Sequence, residues 1–182
     1  MGLPAYQKNT TSEIRENIVN FEQNQMEMEK GEKINILYVD DEENNLFSFK
    51  ASFRFKYNIF TALNGPDAMD IIAKNEIHII ITDQRMPGMT GVEFLEKVID
   101  LDPSPMRILL TGYTDMTAVV EAINKGKIYH YLNKPWTELE IDQIISKAFQ
   151  VYLNKKQILE QNSRLEVSNE QLEFLLRQKL LS

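Results

Sequence analysis

Four short apolar runs in this chain each end in a reactive polar group. Asp40 and Asp41 close INILYVDD, Asp83 closes IHIIITD, Thr111 ends MRILLT, and Lys134 with Pro135 closes IYHYLNKP. If the runs are parallel strands ending side by side, three carboxylates, a hydroxyl and an ammonium surround one point. Carboxylates held about 5 Å apart repel by roughly 3 kcal/mol per pair at an effective dielectric near 20. A cation at the centre removes that cost, and an all-oxygen donor set completed by water suits magnesium. The same ion neutralises an incoming phosphoryl group. Asp83 stands alone at the end of the most hydrophobic run, so one oxygen can bind metal while the other attacks. Aspartyl-phosphates are established products of carboxylate nucleophiles. Lys134 would then contact the phosphate as a point charge and Thr111 as a hydrogen-bond donor. His78 and His130 lie inside strand patterns, where a structural part suits them better than that of a general base.

Each group also has a plainer reading. Asp40-Asp41 followed by Glu42-Glu43 could cap a helix and load its first turn with acid. Thr111 could be an ordinary strand-end threonine, Lys134-Pro135 a strand stop, and Asp83 the cap of a turn into MPGMTG. What favours the site is that all of them fall at successive strand ends.

The elements that must place these groups are read from periodicity. β-Branched and apolar runs occur at 34–39, 58–61, 77–82, 106–111 and 128–132. Helical spacing fills 43–55, 66–75, 90–100 and 115–125, and a further helix starts near Thr137. Strands alternating with helices of this length predict βαβ units and a parallel sheet. The runs IHIIIT and MRILLT are nearly continuous in apolar residues, as strands covered on both faces are. Right-handed crossovers then give an open doubly wound α/β sheet, whose ligand crevice lies at the carboxyl ends of the strands.

The 182 residues suit one domain at 33–148 with an extension at 1–32 and a helical continuation at 149–182. With 43% hydrophobic and 9% aromatic residues the chain can fill a core. A net charge of −7 argues against nucleic-acid binding through a general basic surface. The absence of cysteine excludes disulfides and thiol chemistry and removes the usual zinc ligands. No apolar run approaches a membrane span. The start, MGLPAYQKNT, is not a secretory signal, and Tyr6 stands where a myristoylation signal wants Ser or Thr. A cytoplasmic protein is the expectation.

Within the extension Ile14, Ile18, Phe21, Gln25 and Met28 recur at alternating spacings of four and three, with Thr11 or Ser12 as a cap and Gly31 as a stop. That stripe either decorates a solvated helix or docks on a partner helix. No Gly or Pro occurs from Thr137 to Ser182, so one helix of about 45 residues is expected. Ile144, Val151, Ile158, Leu165 and Leu172 repeat every seven residues as d positions. Ala148, Lys155, Asn162, Asn169 and Leu176 form the a seam. Asn at a fixes register and favours two strands. A homodimer through this helix is expected, with folding back onto the N-terminal stripe as the alternative.

Positions 33 to about 150 resemble the receiver domain of two-component response regulators, through YVDDE, TDQRMPGMTGVEFL, LLTGYTD and YLNKPW, in that order. The resemblance implies a flavodoxin-like five-stranded parallel sheet of order 2-1-3-4-5. It implies that Asp83 is the phospho-accepting residue, Asp41 a direct Mg ligand, Asp40 an acid that reaches the metal through water, and the Arg85 carbonyl a third ligand. Thr111 is then the switch hydroxyl, Tyr131 the switch aromatic and Lys134 the phosphate contact, with a cis Lys134-Pro135 bond. Arg85 and Tyr113 would tune dephosphorylation towards a long-lived phosphoryl state. The implied partner is a histidine kinase or phosphotransfer protein, and the chain would catalyse only its own phosphoryl transfer and dephosphorylation. The phrases DQRMPGMTGVEFL and TGYTDMTAVVEAIN, with Trp136, look most like receivers fused to cyclic-di-nucleotide phosphodiesterases or hybrid kinases, so an output domain outside this sequence is a further expectation. Two alternatives remain: a receiver fold serving as an interaction module without phosphorylation, and an aspartate-nucleophile phosphotransferase. A flavodoxin-type electron carrier is opposed by the acidic crevice.

Overall fold

The computed structural model describes residues 33–112 and 116–181. The N-terminal stripe, Tyr113 and Ser182 lie outside them. Ten elements alternate along the chain. The strands are β1 (Asn35–Val39), β2 (Asn58–Ala62), β3 (Ile79–Asp83), β4 (Met106–Thr111) and β5 (His130–Asn133). The helices are α1 (Glu43–Phe53), α2 (Gly65–Lys74), α3 (Gly91–Leu101), α4 (Met116–Asn124) and α5 (Glu138–Leu181). The strands form one parallel sheet of order β2-β1-β3-β4-β5, as the resemblance implies. Element boundaries fall within two residues of those expected from periodicity for nearly every element.

Side-chain alternation divides the core into two layers. Ile36, Tyr38, Ile79, Ile81, Ile108 and Leu110 face α1 and α5, which return Leu46, Phe49, Phe53, Ile141, Ile145, Ala148 and Tyr152. Leu37, Val39, Ile80 and Leu109 face the opposite layer, against residues such as Ala68 of α2, Phe94 and Leu95 of α3 and Val119 of α4. Every residue of β3 is buried, which is why its sequence shows no polar alternation. Each isoleucine fully withdrawn from water contributes about 1.5–3 kcal/mol, so this strand is the best anchored in the sheet.

Local signals set the helix starts. Asn64 caps α2 by accepting from Asp67 N at 2.9 Å. Thr90 and Glu93 form a capping box on α3, the T-x-x-E pattern visible in MTGVE. Gly88 adopts φ +79° in the loop before it, a backbone region that costs glycine nothing. The plainer reading of Asp40-Asp41 as a helix cap fails, because α1 begins at Glu43 and its N-cap Glu42 makes no side-chain cap bond.

α5 has two parts. Its first four turns pack on the sheet and are tied down by Asp142, which accepts from Lys56 Nζ at 2.5 Å and from the Tyr57 hydroxyl. Just before β3 the His78 ring meets Phe149 and Tyr152 at 5.4 and 5.1 Å. The Tyr152 hydroxyl donates to Glu76 Oε1 at 3.3 Å, and burial, then Glu76, push its pKa up to about 12. His78 Nδ1 accepts from Asn35 N at 2.9 Å, which bears out its structural reading. Beyond Leu153 the helix leaves the domain and its side chains are almost all exposed. The expected a/d seam is therefore corrected at its start. Ala148 is wholly buried in the domain's own core, with Ile144 and Val151 packed beside it, so these positions serve the intramolecular layer. Ile158, Leu165, Leu172 and Leu176 remain 55–61% exposed.

Candidate functional site

The carboxyl ends of β1 and β3, together with the loops after β4 and β5, line a crevice of about 300 Å³. Asp40, Asp41, Glu42, Asp83, Gln84, Arg85, Gly112 and Lys134 form its walls. The parallel register makes this arrangement unavoidable. β3 pairs with β1 through Val39↔Thr82 and with β4 through Asp83↔Leu110, so the residues ending each strand arrive at one level.

Asp83 is only 7% exposed, and each of its carboxylate oxygens has a partner among the described residues. Lys134 Nζ lies 2.5 Å from Oδ1, and the Arg85 backbone N–H donates to Oδ2 at 2.8 Å. Lys134 also reaches Asp40 Oδ2 at 3.5 Å. Burial on its own would lower the lysine; the hydrogen bond and charge of Asp83, followed by those of Asp40, outweigh it and hold the ammonium above its usual range. The Lys134 N–H donates to the Thr111 carbonyl at 2.9 Å, and the Lys134-Pro135 bond is cis.

Asp40 is saturated. Its Oδ1 accepts from Glu42 N and Asn45 Nδ2, both at 3.0 Å, and its Oδ2 accepts from the Tyr38 hydroxyl at 2.8 Å besides meeting Lys134. Burial, then the charge of Asp40, push the Tyr38 hydroxyl far above the ordinary phenol value. Asp41 is the opposite case: exposed, with no hydrogen bond or ion pair to its carboxylate among the described residues. Of the three aspartates, it is the one that can turn towards a ligand without breaking a bond to another described residue.

Two predicted residues stand behind the crevice. Thr111 is buried and donates to the Gly112 carbonyl at 3.0 Å, so the crevice is lined there by Gly112. Tyr131, half-buried on β5, pairs in register with Leu109 and shares with Thr111 the sheet face that α4 covers. His130 begins β5 and takes no part in the crevice.

Sequence reading missed four contributors. Tyr38 and Asn45 orient Asp40. Gly91 passes so close to Asp83 that a Cβ there would lie 2.3 Å from the Asp83 carbonyl oxygen. Gln84, 6% exposed, links the loop after Asp83 to α3. Only the glycine left a signal, by falling just inside a capped helix start.

The donor set fits magnesium by its chemistry. It offers carboxylates in a crevice open to water, with no histidine or sulfur donor among the residues that line it. No three acids or histidines among the described residues close into a metal-binding group by themselves.

Comparison with known proteins follows this geometry. A family model for the response regulator receiver domain matches residues 36–146. The hydrogenase transcriptional regulatory protein HoxA of Bradyrhizobium diazoefficiens is 32% identical over 122 residues, covering 67% of this chain and 25% of HoxA. The chain thus spans about a quarter of the curated relatives it matches first. The signal receiver domain of an HD domain-containing protein from Pseudomonas fluorescens superposes with a TM-score of 0.64 at 30% identity, over 69% of this chain and 93% of that one. The response regulator TrrA of Thermotoga maritima, solved with Mg2+ and BeF, superposes with a TM-score of 0.56 at 27% identity, over 63% of this chain and 98% of that one.

Proposed function

This chain belongs to the response regulator receiver domain family, and on that premise we propose that Asp83 accepts a phosphoryl group from a phosphohistidine of a histidine kinase or phosphotransfer protein. An Asp83 carboxylate oxygen attacks phosphorus, an O–P bond forms, and the N–P bond of the donor breaks. The electron pair returns to the donor's imidazole. The observation that supports this most is the bracketing of Asp83 by Lys134 Nζ at 2.5 Å and Arg85 N–H at 2.8 Å. Both donors fix the orientation of the carboxylate that attacks.

Magnesium, when bound, would offset charge on the acids and on the incoming phosphoryl oxygens. Asp41, Asp83 and the Arg85 carbonyl would hold it, and Asp40, whose lone pairs are engaged, would reach it through water. Lys134 follows the phosphoryl group as its positive partner. Thr111 turns from Gly112 towards the new phosphate, and Tyr131 moves into the space vacated on the face of α4, β5 and α5. The chain acts on no other substrate, so any output enzyme lies in another domain or protein. Arg85 beside the acyl phosphate shields it from water and lengthens its life.

α5 carries the signal onward. Its exposed repeat at Ile158, Leu165 and Leu172 pairs with a second copy of the chain, and the response to phosphorylation is a change in that pairing. No helix among the described residues is long and apolar enough to cross a membrane; action in the cytoplasm belongs to the same proposal. Incubation with acetyl phosphate and magnesium, followed by intact-mass measurement, tests the core of it. A gain of one phosphoryl mass that disappears in Asp83→Asn is expected. No gain in the parent chain would leave a receiver fold working as an unphosphorylated interaction module.

A further inference from the structure

The loop that follows Asp83 reaches α3 through one buried side chain. Gln84 N donates to the Leu110 carbonyl at 2.9 Å and so extends the β3–β4 ladder one residue past Asp83. The Gln84 carbonyl accepts from Gly91 N at 2.9 Å, and its side-chain Oε1 accepts from Val92 N at 3.1 Å. Thr90 Oγ1 takes the next amide, that of Glu93, at 3.2 Å. The first three amides of α3 are thereby satisfied, two of them by the residue adjoining Asp83. The helix start also presses on the other side of the acid, since Gly91 has no room for a Cβ beside the Asp83 carbonyl.

Gln84 is thus held from the sheet and from α3 at once. The next residue, Arg85, has its N–H on Asp83 Oδ2 and is the carbonyl donor proposed for the cation. The peptide between them is held at both ends, its carbonyl by Gly91 N and its N–H by Asp83 Oδ2, while the side-chain bond to Val92 N anchors the residue that carries it. We infer that Gln84 is a positioning residue, whose buried amide fixes the Arg85 backbone against the acceptor acid through the first turn of α3. Its side-chain oxygen is engaged by Val92 N, so it acts through Arg85. The inference rests on the magnesium site proposed above.

The experiment is a titration with magnesium alone, read by the fluorescence of Trp136, the single tryptophan, and by calorimetry, with thermal unfolding measured on the same samples. Gln84→Leu keeps the volume and removes the acceptor. Val92→Pro removes the donor from the other side of the same bond, at a first-turn position where proline is tolerated. Both should bind magnesium about tenfold more weakly, the effect typical of losing an outer-shell support. Gln84→Glu, which keeps an acceptor oxygen at the helix N-terminus, should recover most of the affinity. At saturating magnesium the phosphorylation rate of Val92→Pro should return towards that of the parent, which a general loss of fold would not allow. Should Gln84→Leu fail to fold, Val92→Pro decides alone. Parent-like magnesium affinity in the folded variants overturns the inference. If the parent itself binds no magnesium, the site reading fails instead.

Discussion

Gly91 and Asp83 are packed backbone against backbone: a methyl group on Gly91 would stand 2.3 Å from the Asp83 carbonyl oxygen and 2.7 Å from Leu109 Cδ1. The first neighbour is backbone, and the second is a side-chain methyl of a leucine wholly buried in the core. Gly91→Ala must therefore shift the acceptor strand or the helix, at a cost of about 1–3 kcal/mol for overpacking. Thermal unfolding should fall accordingly, and phosphorylation by acetyl phosphate should slow by about tenfold, since a small displacement of a reacting group is costly. Parent values for both would show that the contact is not a constraint.

Lys134 compensates the acids and competes with any cation that approaches them. Lys134→Met should tighten magnesium binding by roughly tenfold, because one positive charge leaves the neighbourhood of a divalent ion. The same variant should form acyl phosphate much more slowly, having lost the donor 2.5 Å from Asp83. Binding and reaction would then move in opposite directions. A titration and a mass time course on one sample check both, and a fall in both would assign Lys134 to folding instead.

Asp142 joins α5 to the end of α1. Burial would raise its carboxyl, but the Lys56 and Tyr57 hydrogen bonds outweigh burial and hold it below the usual aspartate range. With the folded value depressed, its contribution is complete above the ordinary aspartate value of about 4 and fades as pH falls through the lower folded one. Asp142→Asn should cost about 1 kcal/mol at neutral pH, a modest figure because Lys56 is largely exposed. For a chain of this size the melting temperature drops by about 3 °C. The gap to the parent should shrink by pH ~3. A gap that is constant from pH 7 to 3 would contradict the assignment.

The distal half of α5 is the element whose partner is proposed to be another copy. Light scattering should give the mass of two chains for the parent, and of one for Leu165→Lys combined with Leu172→Lys. Thermal unfolding of the domain should barely change, since both positions are exposed. Crosslinking yield along the helix should differ with and without beryllofluoride. A monomeric parent at micromolar concentration would remove this part of the proposal.

The sheet was legible because its strands concentrate apolar and β-branched residues, and four of the five end beside a charge or hydroxyl at the same sheet edge. The acids and Lys134 were legible for the same reason. Tyr38 was not, since it reads as one more apolar member of NILYV until its hydroxyl is seen 2.8 Å from Asp40. Gln84 reads as a loop residue; its role arises from Val92, eight positions away. Ala148 misled for a different reason. A seven-residue repeat and the 3.6-residue stripe of a core-facing helix coincide over two turns, so the domain layer and the seam share positions up to Val151.

The departure of α5 from the sheet at Tyr152 also sets a mechanical scale. From there to Leu181 the rod is about 40 Å long at 1.5 Å per residue. A tilt of about 5° at its root carries the tip by about 4 Å, roughly three-quarters of the 5.4 Å pitch of a helical turn. Rearrangements too small to notice beside Asp83 would thus be magnified, at the far end, into the difference between one side-chain interlock and the next.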